Sequence, residues 1–132
     1  MTKEELVVIA RQARERAYAP YSNFKVGAAL ETRDGRVFPG CNVENASYGL
    51  TNCAERTAFH SAVAAGCHPR DFLRIAIVGP TEGPVSPCGA CRQVMLELGG
   101  PSLEVILANL GDALEETTAA GLLPGAFSAS DL

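Results

Sequence analysis

Two cysteines three residues apart, in Pro87-Cys88-Gly89-Ala90-Cys91, do most to narrow what this chain can become. Residues at i and i+3 meet on one helical turn, so the spacing lets two sulfurs reach a single ion from a helix start. The positive end of the helix dipole at that point also favours thiolates. Taken alone, the motif fits a metal site, a structural zinc knuckle or a redox dithiol. A thioredoxin-like dithiol would follow a first strand near the N-terminus, and this motif lies late in the chain.

The flanking sequence supplies the helix. Cys88 to about Leu98 reads as helical, closed by Gly99-Gly100-Pro101, and a Pro/Gly-rich loop from Gly79 to Pro87 leads into it. Thr2 and Glu5 form a candidate capping box for a first helix running to about Ala17, which Ala19-Pro20-Tyr21-Ser22 stops. Phe24, Val26, Ala28 and Leu30 alternate as on a strand; Arg33-Asp34-Gly35-Arg36 turns, and Val37 to about Asn42 returns. A helix from about Asn52 to Ala65, buried strands at Leu73–Val78 and Leu103–Ala108, an edge strand near Ala113–Thr117 and a turn at Leu122-Leu123-Pro124 complete the order αββαβαβ(β). The expectation is an α/β fold, residues 1–132 forming one domain around a mixed sheet with helices on its faces.

Composition bears on partners and compartment. Eleven Lys+Arg against fifteen Asp+Glu give a net charge of −4, which argues against gripping phosphate backbones. The one local basic cluster, Arg11, Arg14 and Arg16, is interrupted by Glu15. Apolar runs such as Ile75–Val78 are strand-length, far short of the ~20 residues that cross a bilayer. Five cysteines suit a disulfide framework poorly, and no signal-peptide pattern opens the chain. A cytoplasmic protein with reduced thiols, no nucleic-acid partner and no membrane partner is expected.

Cys53-Ala54-Glu55 opens the second helix, and alone it reads as capping, with Asn52 as N-cap and Glu55 as its partner. Paired with the later P-C-x-x-C, it resembles the zinc-deaminase signature, in which three cysteines bind the metal and the glutamate does not. Cys53, Cys88 and Cys91 then make three ligands, the number that leaves a catalytic zinc one open position. His60 lies seven residues beyond Cys53, roughly 10 Å along a helix, too far to join them. Cys41, near a strand end, stays open as a fourth ligand or a buried apolar residue, and Cys67 reads as an ordinary thiol. Three thiolates on Zn²⁺ leave a net −1, so a cation is expected beside the sulfurs. Arg56 is the candidate, with Arg92 either a second one or a surface helix residue.

More of the chain carries the same likeness. Ala19–Ala29 (APYSNFKVGAA), Asn42–Tyr48 (NVENASY), Cys53–Arg56 (CAER) and Pro87–Gln93 (PCGACRQ) resemble the short cytidine deaminases, as do Leu122-Leu123-Pro124 and Phe127 at the end. Blasticidin deaminases share the zinc motifs, but Asn42-Val43-Glu44-Asn45 favours the nucleoside enzyme. The resemblance implies a cytidine-deaminase-like three-layer α/β/α sandwich with a five-stranded sheet and one Zn²⁺ per chain. It also implies a homotetramer with intersubunit active sites. The implied activity is hydrolytic deamination of cytidine and deoxycytidine in pyrimidine salvage. Water activated on zinc attacks C4, and Glu55 shuttles its proton to N3 and then to the departing ammonia.

By the same resemblance, Asn42 and Glu44 bind ribose, and alternation puts both on one face, where the carboxylate disfavours a 5′-phosphate. Phe24 lines the base pocket, the backbones of Ala54 and Cys88 touch the base edge, and Phe127 stacks on a base in a neighbouring subunit, with Tyr48 beside it. Two other readings stay open: a deaminase of another amino-heterocycle, and a non-catalytic module with four-coordinate structural zinc.

Overall fold

A computed structural model describes residues 1–132. Its five strands are β1 (Gly27–Thr32), β2 (Val37–Cys41), β3 (Phe72–Val78), β4 (Glu104–Ala108) and β5 (Leu114–Thr118). They form one mixed sheet in the order β2-β1-β3-β4-β5. Only β3 and β4 run parallel, and the other neighbours are antiparallel. Helix α1 (Lys3–Arg14) covers one face; α2 (Ala54–Ala64) and α3 (Gly89–Gly99) cover the other. The expected three-layer α/β/α sandwich is what forms.

Burial on both faces explains why β1, β3 and β4 carry few polar residues. On β1, Ala29 packs with Leu6, Val7 and Ala10 of α1, while Ala28 and Leu30 pack with Ala58 and Phe59 of α2. The same alternation sorts Ala76 and Val78 from Ile75 and Ile77 on β3. Two glycines set how close the layers come. A Cβ on Gly27 would sit 2.0 Å from the Ala10 carbonyl oxygen of α1, and one on Gly40 would sit 2.3 Å from the Ala54 carbonyl oxygen of α2.

The ends of elements depart from expectation for identifiable reasons. Helix α1 stops at Arg14 and not near Ala17, because the amides of Glu15, Arg16 and Ala17 bond three residues back, in a tightened 3₁₀-like turn. Thr2 Oγ1 accepts from the Glu5 amide at 3.1 Å, so the N-cap half of the expected box is present. Strand β1 begins at Gly27, not Phe24. Asn42 takes over from a ladder there: its Oδ1 accepts from Val26 N–H at 2.9 Å, and its Nδ2 donates to the Phe24 carbonyl at 2.7 Å. The N-cap of α2 is Cys53, not Asn52, whose amide donates instead to Thr57 Oγ1 at 3.1 Å. A 3₁₀ turn at Tyr48–Leu50, a four-residue helix α4 (Ala119–Leu122) and a terminal 3₁₀ turn at Ala129–Asp131 add to the expected elements.

Candidate active site

Cys53 and Cys88 play the same local part. Each is the N-cap of a helix in extended backbone, at φ −78°, ψ 161° and φ −69°, ψ 164°, and neither side chain caps its own helix. Their sulfurs are thereby free to turn toward each other, with the positive ends of α2 and α3 behind them. Cys91 sits in the first turn of α3, three residues on. At the matching position of α2 stands Arg56, so one helix offers a second sulfur where the other offers a cation.

The sulfurs of Cys53 and Cys88 are 3.9 Å apart, those of Cys88 and Cys91 are 3.4 Å apart, and all three lie within 4.8 Å of one another. Zinc–sulfur bonds of about 2.3 Å in a tetrahedron require sulfurs about 3.8 Å apart, so this trio fits such an ion. No other group of three or more His, Cys, Asp or Glu side chains comes together in this way. Cys41 is therefore not a fourth protein ligand: it ends β2, half-buried, where burial pushes its thiol up. Cys67 is packed into the core beneath α2 and α3.

Arg56 Nη2 donates to Cys53 Sγ at 3.2 Å, and its Nε is buried without a partner. The Cys53 thiol falls to about 5, through its hydrogen bond with Cys91 first and Arg56 next. Cys91 is pushed the opposite way by the bond to Cys53 and by burial. The two shifts run in opposite directions because the sulfurs share a hydrogen bond, and the guanidinium favours the charged form at Cys53. Arg92 has no part in this balance, since its guanidinium contacts backbone carbonyls and a hydroxyl and no sulfur.

Glu55 does not reach back to cap α2. It is 4% exposed and lines a cleft of about 170 Å³ with Phe24, Asn42, Cys53, Ala54 and Cys88. Burial raises its carboxyl above the ordinary glutamate range, and the negative Cys53 adds to the rise. The site thus joins a soft-metal ligand set to a carboxyl that holds a proton readily.

Three expected residues stand outside the cleft. Glu44 accepts from the amides of Tyr21 and Ser22 at 2.9 and 3.2 Å and from the Ser22 hydroxyl, bonds that hold its carboxyl below the usual range. Tyr48 is 74% exposed, edge-on to Tyr21, and Phe127 is 60% exposed on the wall of a separate cavity of about 640 Å³ beside α3. That cavity is the larger one, yet it contains neither the sulfurs nor Glu55.

A sulfur trio at two helix starts, with a buried carboxyl beside it, defines the zinc-binding deaminases as a class. Residues 1–107 match the model of the cytidine and deoxycytidylate deaminase zinc-binding region, and the chain belongs to that family. It is 57% identical to the cytidine deaminase of Sporosarcina psychrophila over 132 residues, all of this chain and 96% of that one. Its fold superposes on the cytidine deaminase of Burkholderia pseudomallei with a TM-score of 0.96 at 65% identity, covering 96% of this chain and 100% of the other. For the Mycobacterium tuberculosis cytidine deaminase the TM-score is 0.83 at 41% identity, covering 97% and 98%. No helix is long and apolar enough to cross a membrane.

Proposed function

We propose that this chain is a zinc-dependent cytidine deaminase that hydrolyses cytidine and deoxycytidine to the corresponding uridines and ammonia, in the cytoplasm, as a step of pyrimidine salvage. The observation that carries the reading is the Glu55 carboxyl buried in the same cleft as the Cys53, Cys88 and Cys91 sulfurs. Those sulfurs would hold one zinc, which when bound would supply the Lewis acidity that makes water a nucleophile near neutral pH. Arg56 draws charge from Cys53 and offsets the surplus negative charge of three thiolates.

Glu55 is the proton carrier. Its raised carboxyl takes a proton from the attacking water, delivers it to N3 of the pyrimidine and passes one on to the leaving ammonia. Phe24, braced through its carbonyl by Asn42, forms an apolar wall for the ring. The backbones of Ala54 and Cys88 face the base edge. Asn42 keeps one N–H and one lone pair for a ribose hydroxyl, with Glu44 as its partner once substrate competes for the carboxylate.

A cleft of about 170 Å³ falls short of the ~300–1,000 Å³ of small-molecule sites. Exposed Tyr48 and Phe127 suit a homotetramer in which a neighbour completes each site. The test is loss of cytidine ultraviolet absorbance with the zinc-loaded protein beside its Glu55→Gln variant. Wild type converts cytidine, and the variant keeps its zinc while slowing by about 10²–10⁴. A folded, zinc-loaded wild type that leaves cytidine unchanged refutes the reading.

A further inference from the structure

Arg92 sits on α3 one residue past Cys91, yet no carboxylate pairs with it. Its guanidinium is divided among three neutral acceptors, each at 2.8 Å. Nε donates to the Pro87 carbonyl, Nη2 to the Ser86 hydroxyl and Nη1 to the Leu122 carbonyl. Two of these acceptors belong to the residues directly ahead of Cys88. The third ends α4, thirty residues along the chain. Next to it, Gln93 Nε2 donates to the Phe127 carbonyl at 2.9 Å. Two adjacent side chains thus tie down both ends of the 122–127 segment by its backbone, leaving the Phe127 ring exposed.

We infer that Arg92 is a positioning residue: one planar fork sets the approach of the chain to Cys88 and, through Leu122, the placement of the segment that presents Phe127. The inference rests on the deaminase reading for what Phe127 does, but its effect on Cys88 holds whatever the substrate. A rigid fork with N–H groups in three directions meets acceptors in three directions, and a lysine ammonium on a flexible stem does not reproduce that geometry. Loss of the fork frees the loop carrying one metal ligand and loosens the aromatic segment together.

The experiment compares zinc-loaded full-length wild type, Arg92→Ala and Arg92→Lys by zinc transfer to a chromogenic chelator, by kcat and KM for cytidine, and by Tm. In both variants zinc transfer quickens about tenfold and KM rises about tenfold, the scale expected when support for a metal ligand is removed. The Lys variant keeps stem and charge, so it folds if the Ala variant does not, and decides the matter alone. Ser86→Ala, which removes a single acceptor, moves both readouts the same way by less. Wild-type zinc transfer with wild-type KM in Arg92→Lys overturns the inference, as does a fall in Tm with both unchanged. Should wild type itself fail to act on cytidine, the functional reading falls, while zinc transfer still judges Arg92.

Discussion

Three thiolates around a divalent cation leave one negative charge, and a water bound beside that charge gives up its proton reluctantly. The Arg56 guanidinium stands where it would offset that charge, 3.2 Å from Cys53 Sγ. Arg56→Ala keeps the three sulfurs and so its zinc, and loses turnover by about 10- to 100-fold. Steady-state rates beside zinc content per chain check it, and unchanged turnover at full zinc removes the role. At this scale the sequence was legible where chemistry is local. The spacing of Cys88 and Cys91 and the C-x-E of Cys53 and Glu55 are short-range patterns that survive folding unaltered. Arg92 was illegible, because its acceptors are two backbone carbonyls and a serine hydroxyl, one of them distant in the chain. Glu55 as a capping residue was the better local reading, and it fails because tertiary packing turns the side chain into the cleft.

At the scale of elements, the placement of α2 depends on how near β2 lets it come. A methyl on Gly40 meets the Ala54 carbonyl oxygen at 2.3 Å and Ala58 N at 2.6 Å, backbone atoms that move only if the helix moves. Gly40→Ala destabilises by about 1–3 kcal/mol or more and, since Ala54 lies between Cys53 and Glu55, lowers activity as well. Gly83→Ala, with open space at its Cβ, changes neither. Thermal unfolding and cytidine turnover of the two variants measure this. Strand cores and helix bodies followed from apolar patterning, whereas their ends did not. Phe24 and Val26 continue the alternation of β1, but Asn42 bonds the backbone where a strand partner would stand, so they belong to the cleft and not to the sheet.

At the scale of the whole molecule, the exposed aromatics decide the assembly prediction. If each site draws Phe127 from a neighbour, Glu55→Gln and Phe127→Ala subunits carry complementary defects. Refolded separately they are slow; refolded together they recover activity, because some sites combine an intact Glu55 with a neighbour's intact Phe127. Light scattering reports a tetramer for both variants, and mixtures no faster than their parents refute shared sites. Single-chain patterning would carry no trace of such an arrangement, since a ring exposed in one chain reads as surface whether or not a neighbour covers it.

The sulfur trio has a mechanical side. Cys53 and Cys88 stand 35 residues apart on different helices, so an ion held between them is also a cross-link that closes that length of chain. By loop-closure entropy alone such a tie is worth about 3–4 kcal/mol, comparable to a disulfide of the same span. A bound ion would thus give three unoxidised thiols the stapling that secreted proteins draw from disulfides, and the same three atoms would bind cofactor and core together.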